Sequence, residues 1–220
     1  MNTRSNRSRF GRQHGMGLIE LMVGMVIGLI VLMALGYFFL GSIQANRTHD
    51  DISRMQESGR NALEMMGTAI RQAGYRADAD VAFVGTPLAG DNGAGGATDA
   101  ITLRFYQQDG GETDCAGSTV NNPMTYAFAV NGSRQLTCNN GTTTNVVVDN
   151  IEDMQIEYGI DANKDGIIES YSATPANFGQ VAAVRVNLTV RGPTANAATG
   201  GDGFLRQTYS TTFTVRNQAR

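Results

Sequence analysis

Residues 21–43 contain no Asp, Glu, Lys or Arg and are apolar on every side of a helical projection. About 20 such residues cross the hydrocarbon core of a bilayer, and a helix apolar all round must be buried in something. Gly24, Gly28, Gly36 and Gly41 interrupt the run. Gly24 and Gly28 have the small-xxx-small spacing that lets helices approach closely, and they also fit ordinary glycine tolerance in a membrane helix. From Asn46 the pattern changes to a stripe. Ile52, Met55, Ala62, Met66, Ala69, Ile70 and Ala73 recur at steps of three, four and seven, while Asp50, Asp51, Glu57, Arg60, Glu64 and Arg71 lie off the stripe. Gly74 supplies a stop. The pattern predicts one helix from about Met16 to Ala73, about 87 Å long at the usual helical rise.

Beyond it the period falls to two. Residues 77–99, rich in Ala, Gly and Asp, predict an irregular connection. Ile101, Leu103 and Phe105 alternate with polar residues, as do Met124, Tyr126, Phe128 and Val130. Short strands at 135–137 and 145–148 flank Asn139-Asn140-Gly141, a hairpin-turn signal. Met154, Ile156 and Tyr158 mark another strand, Val184, Val186, Leu188 and Val190 the next, and Tyr209, Thr211, Phe213 and Val215 the last. Residues 192–203 read as a mobile loop between the last two. The natural architecture is α+β: a long N-terminal helix whose stripe packs on an antiparallel sheet, whole or split in two.

Charge refines the membrane reading. Arg4, Arg7, Arg9 and Arg12 precede the apolar run without an acid among them, so this flank should stay cytoplasmic. A secretory signal peptide would have a shorter core and small residues after it. A plain signal anchor fits the length but leaves Glu20 unexplained, since a carboxylate in hydrocarbon is expensive and usually marks function. The chain carries 17 basic and 20 acidic residues. Without the four arginines that precede the apolar run, 13 basic residues remain against 20 acidic, a net charge of −7. An acidic exterior with a single lysine, Lys164, offers no general attraction to nucleic-acid phosphates.

Cys115 and Cys138 are the only cysteines. In a domain carried across the membrane they read as one disulfide closing a loop of about 24 residues, worth about 3 kcal/mol. Two free thiols are the alternative; a two-cysteine metal site lacks a nearby histidine. His14 precedes the apolar run and His49 lies on the helix surface just after it, so no histidine remains in the domain beyond for a catalytic triad. Gly93-Ala-Gly-Gly96 lacks the Lys-Ser/Thr of a phosphate loop and reads as a flexible turn.

Asp161, Asn163, Asp165 and Gly166 have the D-x-N-x-D-G spacing of calcium loops. Oxygens at the first, third and fifth positions converge on one side of a turn, and the carbonyl of Ile167 can join them. Position 12 is Ser172 and not the usual Glu; Glu169 sits at position 9. Strand-like residues 154–158 and 167–171 flank the loop. Ca2+ is the cofactor this spacing points to, and a polar β-turn is the other reading.

Gly15-Met-Gly-Leu-Ile-Glu20, the arginine-rich leader before it and the apolar helix after it resemble the signal of type IV prepilins. Met16 stands where Phe is commoner, and Gly17 where Thr or Ser is. The resemblance implies a leader of residues 1–15 cut after Gly15, an N-methylated Met16, and Glu20 as the assembly glutamate. Ser53-Arg-Met-Gln-Glu-Ser-Gly-Arg60, Ala62-Leu-Glu-Met-Met66 and Ile70-Arg-Gln-Ala-Gly-Tyr75 are similar to segments of PilW-type minor pilins. Weaker likeness returns at 147–159, at 184–186 and at 215–217. The organisation implied is leader 1–15, membrane or filament-core helix 16–43, amphipathic continuation 44–76 and a periplasmic domain 77–220, held by one span in a bacterial inner membrane. The resemblance implies no enzyme but a minor pilin that primes pilus assembly, serving motility, adhesion or DNA uptake. Its partners would be the prepilin peptidase, the major and other minor pilins, the assembly platform and a tip adhesin. A J-type pseudopilin of type II secretion or competence shares this architecture. A membrane-anchored, calcium-binding adhesive ectodomain that never assembles is the reading from another class.

Overall fold

The computed structural model describes residues 17–76, 83–106, 113–119, 123–195 and 201–217. The chain divides into two compact units, one ending at Arg47 and one running from Thr48. Helix α1 is Leu18–Gln72, within one or two residues of the span the pattern predicts. In the first unit its residues 18–42 are all exposed, and by length and composition the helix can cross a membrane, with a mean hydropathy of 2.7 over its most apolar stretch.

In the second unit the predicted stripe is buried at Met55, Ala62, Met66, Ala69, Ile70 and Ala73, while Ile52 is half-buried. Gly59 and Gly67 complete it. A Cβ on Gly59 would overlap the Tyr209 ring, and one on Gly67 the Phe213 ring. Eight helical residues rise about 12 Å, and four strand residues about 13–14 Å, so the two glycine–ring pairs stay in step. Gly74, at φ +76°, ends the helix and donates its N–H to the Arg104 carbonyl at 2.9 Å.

Asp51 corrects the pattern reading, which set it off the stripe. It is buried and accepts a hydrogen bond from the Thr194 hydroxyl. Asp51, Met55 and Gly59 follow one another at steps of four and so share a face. Arg71, expected to be solvated, is half-buried, with its guanidinium 5.8 Å from the Phe213 ring centroid.

Among the described residues, nine strands form two antiparallel sheets. One has the order β1-β2-β3-β4-β5: Leu88–Asp91, Ala100–Phe105, Met124–Val130, Gln135–Asn139 and Thr144–Asp149. The other has the order β7-β6-β8-β9: Ser170–Ser172, Ile151–Ile160, Val181–Ala195 and Phe204–Thr214. The expected alternation of Ile101, Leu103 and Phe105 is the burial pattern of β2. In β6, Ile151 is buried with Met154, Ile156 and Tyr158 although it is out of phase with them. A register shift between Ile151 and Asp153 restores the face.

Three expectations give way. The connection 77–99 contains strand β1 and a short 3-10 turn at Ala94–Gly96. With Leu88 the one large apolar residue of β1, no alternation announces it. The loop read at 192–203 does not begin at Gly192, because β8 runs on to Ala195, paired with Phe204; residues 196–200 lie outside the described residues. Gly192 and Pro193 fall inside the register shift between Arg191 and Ala195, where a sheet tolerates them. The strand read at 167–171 is only β7, Ser170–Ser172, and Ile167 is 67% exposed.

Asp99 ties the sheets together. It is buried, and its carboxylate accepts the N–H of Gly93 at 2.9 Å and of Ile156 at 2.7 Å. Its own N–H donates to the Met154 carbonyl. A buried carboxylate is tolerable when its oxygens are matched this way.

Candidate functional site

Three places carry the chemistry that the sequence singles out. At the start of α1, Glu20 is exposed in the first helical turn, and its N–H donates to the Gly17 carbonyl at 3.0 Å. A carboxylate there complements the positive end of the helix dipole. Gly15 and Met16 lie outside the described residues.

The second place is the cysteine pair. Cys115 and Cys138 are bonded, with Cα atoms 6.1 Å apart. Cys138 belongs to β4 and is fully buried, while Cys115 lies in the turn 114–118. Asp114 fastens the same turn from inside. It accepts N–H groups of Ala116 and Ser118 on one oxygen and the Asn140 amide on the other. Partial burial would raise the Asp114 carboxyl, but the Asn140, Ser118 and Ala116 bonds outweigh it and hold the pKa below the ordinary value. Asn145 adds a bond to the Ala116 carbonyl.

The third is the turn between β6 and β7. Asp161 is 2% exposed and takes the N–H of Asp165 at 3.2 Å and of Gly166 at 2.9 Å on its two oxygens. Asn163 Oδ1 also accepts the Asp165 N–H, and Asp165 accepts the Ile167 N–H at 2.8 Å. Glu169 reaches back to the Ala162 N–H at 3.0 Å. Lys164 and Gly166 take left-handed conformations, φ 59° and 86°, which the tight bend requires. The carboxylate oxygens of Asp161, Asp165 and Glu169 lie within 4.8 Å of one another. Calcium binds oxygens at about 2.3–2.6 Å, so ligands on opposite sides of one ion stand about 5 Å apart. Each ionised carboxylate has about four acceptor sites, so the N–H bonds leave capacity for a cation. The donor set therefore fits a hard divalent ion. The Asn163 side chain is drawn to Asp165 by a 3.0 Å bond, and Ile167 contributes its N–H.

Three positions went unmarked by the sequence reading: Asp51, hidden because a carboxylate reads as solvated, and the glycines Gly59 and Gly67. Their eight-residue spacing on the stripe was the available signal.

A family model described as Type IV Pilus-assembly protein W matches residues 122–217, and one described as the prokaryotic N-terminal methylation motif matches residues 11–36. No curated protein matches the chain. Among solved structures, a type IV-like pilin from Thermus thermophilus superposes with a TM-score of 0.50 at 16% identity. The alignment covers 79% of this chain and 98% of the other. The chain is similar to PilW-type pilus-assembly proteins over residues 122–217 and has a pilin-like fold. The pilin fold accounts for the long helix, the stripe and the two antiparallel sheets together. A pilin with the methylation motif is a membrane-anchored structural protein, processed at its N-terminus and assembled with other pilus components. The match at 122–217 begins at β3, whereas the sequence likeness to PilW-type proteins is strongest on the helix at 53–75, so the two lines of evidence cover different parts of the chain.

Proposed function

We propose that this pilin is a minor pilin of a type IV pilus, held in the inner membrane by one span with its β domain in the periplasm, and that it primes pilus assembly with other minor pilins. The observation that carries this reading is the presence of the PilW match and the methylation motif in one chain. Prepilin peptidase cuts between Gly15 and Met16, and Glu20, four residues on, pairs with the terminal amine of a neighbouring subunit. Two charges near the bilayer surface are each costly alone, and pairing offsets part of that. The contact forms only on assembly. Glu20→Ala therefore leaves cleavage and membrane level unchanged, by intact mass and membrane fractionation, and lowers co-purification of partner pilins. Undiminished recovery of partners would refute the role of Glu20; a mature form still beginning at Met1 would refute the pilin reading itself.

We propose in addition that Asp161, Asn163, Asp165 and Glu169, with the Ile167 carbonyl, hold one Ca2+. Support comes from the three carboxylate oxygens gathered within 4.8 Å. An ion bound only by the folded state raises its melting temperature. Calcium should raise the melting temperature of the wild type above its value in chelator, and Asp165→Ala should abolish the rise. Identical curves for the wild type would leave the loop a polar turn.

A further inference from the structure

The two sheets present four outer strands, and three of them are guarded. β1 has four residues and ends on Asp91. β7 has three and follows Glu169 directly. β5 pairs with β4 across a register break at Leu136/Thr137 and ends on Asp149. Short length, a bulge and a terminal charge are the devices by which sheets keep foreign strands away. β9 has none of them along most of its length. It is 11 residues long, and its pairing with β8 runs without a break from Arg206 to Thr214. Residues 207–214 include no charged residue, proline or glycine. Among the described residues only β8 pairs with it, so its far edge offers a row of backbone N–H and C=O groups.

The side chains of β9 sort by face. Thr208, Ser210, Thr212 and Thr214 are exposed. Tyr209, Thr211 and Phe213 turn to the helix, where with Gln56, Arg60 and Leu63 they border an open groove of about 360 Å³. The Tyr209 hydroxyl is buried with no hydrogen-bond partner. An extended strand laid along this edge would bond the free backbone groups and put alternate side chains into the groove.

We infer that the free edge of β9 receives an extended strand from another pilin subunit of the same assembly. The inference rests on the assembly role proposed above. One strand of this length buries less than the roughly 1,000 Å² that a stable interface needs by itself. It therefore suits a partner already held nearby by a second contact, which raises its effective concentration. The exposed apolar residues 18–40 of α1 provide that contact to a subunit carrying a similar helix. A second copy carries the same helix, and the concentration dependence below separates it from a different subunit.

The test uses the full mature chain in detergent, alone and co-purified with the other minor pilins. Amide hydrogen exchange is followed over 207–214. In the isolated chain the outward amides of this edge exchange fast; in the complex they slow by about tenfold or more, the worth of one hydrogen bond. The edges β1, β5 and β7 stay unchanged. Thr212→Lys, which places a charge on an exposed position, should leave the melting temperature of the isolated chain intact and reduce recovery of the complex several-fold. Fast exchange at 207–214 within an intact complex overturns the inference and leaves the assembly role standing. Failure of any complex to form overturns the assembly role. Protection that appears in the isolated chain as its concentration rises assigns the edge to a second copy and overturns the inference as stated.

Discussion

Residues 18–40 and 51–72 belong to the same helix and draw on the same residue types, yet their surroundings are opposite. In the first stretch Ile30 is 57% and Phe38 78% exposed; in the second Ile70 and Met66 are fully buried. Glycines divide the same way. A Cβ on Gly24 or Gly28 would meet nothing within 4 Å, whereas one on Gly59 or Gly67 would strike an aromatic ring. The second stretch finds its partner within the chain, and the first must find it outside, in lipid or in another subunit. Apolarity alone does not say which; the width of the apolar face does. A stripe is matched to one sheet, while an all-round surface can be matched only by a surrounding medium.

Paired substitutions can break this contrast. The largest effect is expected from Ile70→Ala, which should destabilise the β domain by about 2–5 kcal/mol through lost burial and a residual cavity. Ile30→Ala should leave the domain's unfolding midpoint in denaturant within error, measured on the detergent-solubilised chain. Equal losses would show that the two stretches unfold together. Next, Gly67→Ala forces the Phe213 ring aside. Overpacking costs about 1–3 kcal/mol, of which better helix propensity returns at most about 1 kcal/mol. At Gly28 the same change meets nothing in the chain and should leave domain stability alone. It should weaken only contacts between helices of different subunits, read by co-purification. The smallest effect concerns the helix's carboxylates. Asp51→Ala removes the acceptor for the Thr194 hydroxyl and should cost about 1 kcal/mol. Glu20→Ala should shift the domain's melting temperature not at all.

What the chain disclosed of this fold depended on phase. β2 was readable because three apolar residues alternate on one buried face, and the helix because its stripe persists for several turns. β6 was readable from Met154 onward, but the bulge at Ile151/Asp153 breaks the period that would have carried the reading back to its start. β1 was silent, since one leucine cannot establish a period. The end of β8 was misread because Gly192 and Pro193 are turn residues in most settings, and only the strand opposite shows that they occupy a bulge. At the sites, cysteine arithmetic named the bonded pair, and the spacing of Asp161, Asn163 and Asp165 named a turn in which the carboxylates of Asp161, Asp165 and Glu169 lie together. Asp161 is buried while Asp165 and Glu169 face solvent, and the Asp161 N–H donates to the carbonyl of Gln180, 19 residues on, a contact that no local spacing encodes.

The hydrogen bond from Thr194 to Asp51 closes a sequence separation of 143 residues, and the one from Asn217 to Ala73 a separation of 144. The helix is thus the first of these elements to leave the ribosome, and the strand that seats its glycines is the last. Until Tyr209 and Phe213 have been made, the stripe has no complete cover, and the nascent chain carries a long apolar ribbon with nowhere to put it. Contacts of such range are slow to form, and a chain waiting for them is open to aggregation. Order of manufacture therefore sets a demand that the finished fold does not show. The growing chain needs a chaperone or a membrane to shelter its helix until synthesis is nearly done, and a break in translation before β9 yields a product that cannot close its core.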